Sequence, residues 1–169
     1  MKKVIFIICA VFAGVAANAQ QAAIGTQTLN KSAILEFKAG DKSGLVLPWV
    51  TTLPTGAALT GGVMLYDTTD NKVKYYTGEK WINLSKAGTV NVPSQAALAE
   101  STRQGTIIGA QESDAEGVLV LEATDKALIL PKMASPQTAV IKPMAGTICY
   151  DTVKKEICVF NGTEWTFWR

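Results

Sequence analysis

The chain has 169 residues, 48% hydrophobic and 18% charged, with fourteen glycines, six prolines, three cysteines and no histidine. This fits one or two compact domains and excludes a disordered acidic or basic tail protein. Basic and acidic residues become equal in number once Lys2 and Lys3 are set aside. That balance argues against nucleic acid as a partner, and the missing histidine removes the usual member of catalytic triads and most zinc sites.

Residues 1–19 read as a secretory signal. Lys2 and Lys3 make a basic start, Val4 to Ala17 an apolar run, and Ala17-Asn18-Ala19 a cleavage pattern before Gln20. The run has 14 residues, short of the roughly 18 that span a bilayer. Cys9 lies inside it, too far upstream to become a lipid-bearing N-terminus. The expectation is an exported mature chain (periplasm, cell surface or extracellular) with no membrane span.

Residues 20–84 read as a first β repeat. Ala33 to Phe37 and Gly44 to Pro48 are short strands, the second ended by proline. Val63 to Tyr66, Lys72 to Tyr76 and Lys80 to Leu84 are apolar and aromatic runs divided by polar turns, which predicts a three-stranded meander. Residues 85–105 form a linker in which Pro93-Ser94, the run Gln95 to Gln104 and Gly105 predict one short helix. Residues 106–169 read as a second β repeat. Its strands are Val118 to Leu121, Leu128 to Pro131, Thr147 to Tyr150, Glu156 to Phe160 and Glu164 to Trp168. The predicted fold class is mainly β: two tandem β-meander repeats joined by a linker with one short helix.

The two halves are copies. Ile24-Gly25-Thr26-Gln27 recurs as Ile108-Gly109-Ala110-Gln111, Leu45-Val46-Leu47-Pro48 as Leu128-Ile129-Leu130-Pro131, Tyr66-Asp67-Thr68 as Tyr150-Asp151-Thr152, and Trp81 as Trp165. The offset is 84 at both ends and 83 in the middle. A lone chain of roughly 60 residues buries only about 60% of its surface and is marginal. Each copy therefore needs a sister repeat or another chain to pack against.

If Asp151 faces Glu156 across the second hairpin, then Cys149 faces Cys158. At a non-hydrogen-bonded position such a pair is close enough for a disulfide, and an exported compartment would preserve it. The reading is a staple on this hairpin, with a redox switch as the alternative. Leu65 and Lys74 hold the equivalent places, so the fold does not require the bond.

No catalytic constellation stands out. The carboxylates lie mostly in turns or beside lysines, as in Asp41-Lys42, Glu79-Lys80 and Asp125-Lys126, which predicts solvated turns rather than a glycosidase pair. Asp67-Thr68-Thr69-Asp70-Asn71 lacks the glycine and the terminal glutamate of a calcium loop, and its copy carries Lys154 and Lys155. Neither a phosphate loop nor a G-x-S-x-G element occurs. The expectation is a non-enzyme with no metal and no cofactor. Trp81 and Trp165 recur and read as core residues. Trp49 and Trp168 have no counterpart, so these two, with Tyr75 and Tyr76, are the candidates for ligand or partner contact.

Gly44-Leu45-Val46-Leu47-Pro48, Gly62-Val63-Met64-Leu65-Tyr66-Asp67-Thr68, Tyr76-Thr77-Gly78-Glu79-Lys80-Trp81 and Asn161-Gly162-Thr163-Glu164-Trp165 together resemble a known module. It is a repeat of exported Gram-negative surface or adhesin-like proteins and of phage tail-fibre-like proteins, often placed before a self-cleaving chaperone domain. The resemblance covers both copies, although Pro48-Trp49 and Pro131-Lys132 replace the usual proline-arginine. It implies a non-catalytic, β-rich, self-associating and trimeric fibre or adhesin segment at a cell surface. Asp67-Thr68-Thr69 and Asp151-Thr152-Val153 also match a three-residue acceptor pattern for O-linked glycans in some such bacteria, making Thr68 and Thr152 candidate sites. The competing functional class is a small carbohydrate-binding module built on the exposed tryptophans and tyrosines.

Overall fold

The computed structural model describes residues 21–27, 30–57, 59–90, 105–115 and 117–169. The signal segment 1–19 and the helix expected over 95–104 lie outside them. Among the described residues fourteen strands and one helical turn follow in chain order: β1 (Ala22–Ile24), β2 (Ala33–Phe37), β3 (Leu45–Val46), β4 (Trp49–Val50), β5 (Met64–Asp67), β6 (Lys72–Tyr76), β7 (Trp81–Asn83), β8 (Thr106–Ile108), β9 (Leu119–Leu121), β10 (Ala127–Ile129), β11 (Lys132–Met133), α1 (Pro136–Ala139), β12 (Thr147–Asp151), β13 (Glu156–Phe160) and β14 (Trp165–Trp168). The fold is mainly β, as the sequence predicts, and both meanders are present.

The duplication is a structural one. β5-β6-β7 pairs Leu65 with Lys74 and Tyr76 with Trp81, while β12-β13-β14 pairs Cys149 with Cys158 and Phe160 with Trp165. The parallel pair β1-β2 sets Ala22 against Leu35, and β8-β9 sets Thr106 against Leu119. Each meander opens on the same bulge. Gly62 N–H donates to Tyr76 O at 2.8 Å and Tyr76 N–H to Val63 O at 2.9 Å, and Gly146 N–H donates to Phe160 O at 2.8 Å. The bulged glycine needs a left-handed backbone, φ +95° and +84° in the two copies, which a residue with a Cβ adopts only under strain.

The strands β2, β9 and β10 fall where the sequence predicts them, but their parallel pairing, and the short strands β1, β4, β8 and β11, were not legible in it. Pro48 and Pro131 do more than end a strand. At each the chain leaves one sheet and enters another, β3 to β4 in the first copy and β10 to β11 in the second. Lacking an N–H, proline cannot extend the ladder it leaves. Its carbonyl still serves the next sheet, Pro48 O accepting from Tyr66 N–H at 2.8 Å and Pro131 O from Tyr150 N–H at 2.9 Å.

This switching locks the copies together. β3 of the first copy pairs antiparallel with β12 of the second, and β10 of the second pairs in parallel with β2 of the first. The main core joins Leu47, Tyr66 and Val73 to Ala145, Ile148 and Val159. Tyr66 Oη donates to Asn161 O at 3.0 Å, Asn161 Nδ2 to Lys86 O at 3.1 Å, and Thr89 N–H to Thr163 Oγ1 at 2.7 Å. Residues 85–90, assigned to the linker from sequence, thus lie along the second copy, with Val90 against the shared core. The sister repeat supplies much of the packing that each marginal unit requires.

Candidate self-association surface

Strand parity carries side chains to one face at every second residue. In the first meander this sets Met64 opposite Tyr75 and Tyr75 opposite Ile82. In the second it sets Ile148 opposite Val159 and Ile157 opposite Trp168. These two faces meet in a continuous apolar groove. One part, of about 300 Å³, is lined by Met64, Leu84, Leu128, Ile148, Val159 and Trp168 among others. An adjoining part, of about 320 Å³, shares Met64, Leu84 and Trp168 and adds Tyr75 and Ile82. Among the described residues β14 is the last strand of its sheet. It leaves Phe167 39% and Trp168 44% exposed, beside Ile157 at 39%. An apolar edge strand with unpaired main-chain groups is a template for another chain.

The candidate contact residues fare differently. Trp168 lines both parts of the groove, and its Nε1 donates to Leu84 O at 2.8 Å, tying the end of the chain to the first copy. Tyr75 lines the second part. Tyr76 instead packs on Trp81 with ring centroids 5.2 Å apart, and Phe160 on Trp165 at the same 5.2 Å. Trp81 and Trp165 are half-buried rather than fully enclosed, each shielding its meander from one side. Trp49 is an internal pin: its Nε1 donates to Ala145 O at 2.7 Å and its ring lies 5.7 Å from Tyr66. It holds the copies together, which explains why only one copy needs it.

Thr68 Oγ1 donates to Val50 O at 2.9 Å and Thr152 Oγ1 to Met133 O at 3.3 Å, so both hydroxyls brace the parallel strand beside them. Cys149 and Cys158 are directly opposed, as the sequence register requires, and both are buried free thiols. The kind of pair differs from the expectation. The bond from Tyr76 N–H to Val63 O makes that pair hydrogen-bonded, and alternation gives Leu65–Lys74 the same character. The cysteines, 84 residues on, therefore stand at a hydrogen-bonded pair, where side chains are wider apart than at the neighbouring positions. Burial pushes the Cys149 thiol up to about 12, with the charge of Cys158 adding to it, and burial followed by Asp151 and Glu156 pushes Cys158 up to about 11.

Three carboxylates depart from the expectation of solvated turns. Asp67, Asp151 and Glu156 are buried. The aspartates turn inward because each closes its hairpin loop, Asp67 Oδ1 accepting from Thr69 N–H at 2.9 Å and Asp151 Oδ1 from Val153 N–H at 2.8 Å. Asp67 also holds Lys74, with Nζ 2.7 Å from its Oδ2, and Lys74 reaches Asp70 Oδ2 at 2.8 Å. Nothing in the local sequence separates these acids from exposed ones, since what buries them is the neighbouring strand.

A family model described as a phage tail-like trimerisation region matches residues 23–105 and again 107–168. The chain belongs to this family. Each matched segment contains one of the two structural copies, the first running on through the linker, so the family unit occurs here in tandem. Comparison with curated proteins and with solved structures gives no match. Membership agrees with the tail-fibre-like resemblance of the sequence, and the groove identifies an apolar surface that such a unit can use.

Proposed function

We propose that this chain is an exported, non-catalytic structural module that trimerises through the apolar groove and the β14 edge, serving as a tail-fibre-like or adhesin-like segment at a cell surface. The observation that carries the reading is the groove itself, open between the two meanders in a chain of the trimerisation family. Its walls are aliphatic, with Trp168 at the rim. A sugar there would find few partners for its hydroxyls, whereas an apolar strand or side chain from a second copy loses nothing on entering. The basic start, apolar run and cleavage pattern of residues 1–19 support export.

Light scattering coupled to size exclusion on residues 20–169 is expected to give a mass three times that of the chain. Ile157→Asp, which sets an unpaired charge at the groove rim, should reduce the assembly to monomer while leaving the far-ultraviolet dichroism unchanged. A wild-type monomer at all attainable concentrations would end the assembly reading. The carbohydrate alternative draws on one observation, Tyr75 and Trp168 lining the same part of the groove. A blank glycan array would discard it.

A further inference from the structure

The face of the β12-β13 hairpin that carries the cysteines also carries Asp151 and Glu156, two opposed pairs side by side. The ligand atoms of Asp151, Glu156 and Cys158 all lie within 4.8 Å of one another, in buried surroundings. Cys149, fully buried, stands opposite Cys158. Asp151 is 0% exposed, and its Oδ2 is buried without a hydrogen-bond partner among the described residues. Its other oxygen accepts from the backbone N–H groups of Val153, Ser135 and Lys154, at 2.8, 3.3 and 3.3 Å. The one other buried side-chain oxygen left in this way, Asp70 Oδ1, belongs to a side chain that is 34% exposed.

The first copy is the internal control. At the place of Asp151 it has Asp67, whose Oδ2 is met at 2.7 Å by the Lys74 ammonium. The second copy replaces that lysine by Cys158, and it replaces Leu65 and Lys72 by Cys149 and Glu156. Two positive charges are lost from the site, one carboxylate replaces one of them, and three groups able to ligate a metal are gained in all. A buried carboxylate oxygen left without a partner is costly unless a cation meets it.

We propose that the second copy binds a divalent cation of the zinc class at the place where the first copy carries the Lys74 ammonium, with Cys158 Sγ, Asp151 Oδ2 and the Glu156 carboxylate as ligands and Cys149 Sγ, which stands opposite Cys158 but outside that 4.8 Å cluster, turning in as the fourth. Thiolate and carboxylate together suit a cation of borderline softness. Arg169 Nε, 3.0 Å from Glu156 Oε2, and Lys154 Nζ, 4.0 Å from Glu156 Oε1, would orient the glutamate from outside. Two thiolates on one cation stand farther apart than two bonded sulfurs, which suits the wider spacing of a hydrogen-bonded pair. Each thiol that ligates releases its proton to solvent.

The test uses the full mature chain, reduced and stripped with a chelator, then titrated with Co²⁺. The expected result is one equivalent per chain, with a thiolate-to-cobalt charge-transfer band and the visible bands of a tetrahedral site, all bleached by Zn²⁺. Asp151→Asn should weaken the binding about tenfold or more. Cys158→Lys rebuilds the ion pair of the first copy, so it should abolish the bands while keeping a folded chain with an undiminished melting temperature in chelator. Protein purified from its native host without chelator should carry one zinc per chain by elemental analysis. A folded, reduced wild type that gives no charge-transfer band overturns the proposal. So does native protein whose intact mass is short by a pair of hydrogens and whose thiols cannot be alkylated, since it would carry a disulfide. Neither result bears on the trimer.

Discussion

Lys74 and Asp67 show how much one buried pair can hold. Burial pushes the Asp67 carboxyl up, but the hydrogen bonds from Lys74 and Thr69 outweigh it and leave the group below the usual carboxylate range. Burial likewise pulls Lys74 down, and Asp67 with Asp70 outweighs that and raises it. The depressed acid contributes stability that is present above the ordinary carboxylate value and is lost as pH falls through its folded value. The raised lysine contributes stability that is present below the ordinary lysine value and is lost as pH rises through its folded value. Denaturant midpoints are therefore expected to be flat through neutrality and to fall at both extremes. Lys74→Met strands Asp67 with a single hydroxyl and a backbone donor, and should cost about 3–5 kcal/mol in urea unfolding at pH 7. A loss below about 1 kcal/mol would mean that the pair is solvated after all. The pair was not visible in the sequence, where Lys74 reads as an ordinary polar position in an alternating strand.

Among the elements, the bulge that opens each meander offers a comparison within one molecule. Gly62 and Gly146 share a left-handed backbone, but a Cβ on Gly62 would meet nothing within 4 Å, whereas one on Gly146 would come within 3.2 Å of Tyr66 Cβ. Gly62→Ala should cost the backbone strain alone, about 1 kcal/mol. Gly146→Ala adds a collision with the shared core and should cost about 1–3 kcal/mol more. Equal losses in thermal melts of the two variants would show that the second meander can move away from the first. The strands of both meanders and their pairing were readable, because alternation, turn residues and the duplicated spacing all agree. The strands β1, β4, β8 and β11 were not, since two or three residues in parallel pairing leave no periodic trace. The helical turn α1, four residues behind Ser135, is likewise too short to register.

For the whole molecule, the decisive feature is a core shared between the copies. Because Tyr66 and Val73 pack with Ile148 and Val159, the two repeats should unfold together. A single calorimetric transition is expected for the mature chain, and residues 20–90 expressed alone should lack a cooperative melt. Two resolved transitions would make the copies independent domains. The groove depends on the same interlock. The parity of Met64, Tyr75, Ile157 and Trp168 could be read from their strands, but nothing in either copy says that the two faces converge. Trp49 illustrates the limit: an unmatched tryptophan looks like a contact residue until its N–H is found on Ala145 O. By itself the sequence determined the duplication, the meanders, the opposition of Cys149 and Cys158, and the family, because these rest on local order and repeated spacing. Only the tertiary structure decided which faces meet, which carboxylates are buried, and that β3 and β10 cross between copies. Those outcomes depend on pairing between residues about a hundred positions apart, where no local pattern acts and burial is set by whatever the neighbouring strand brings.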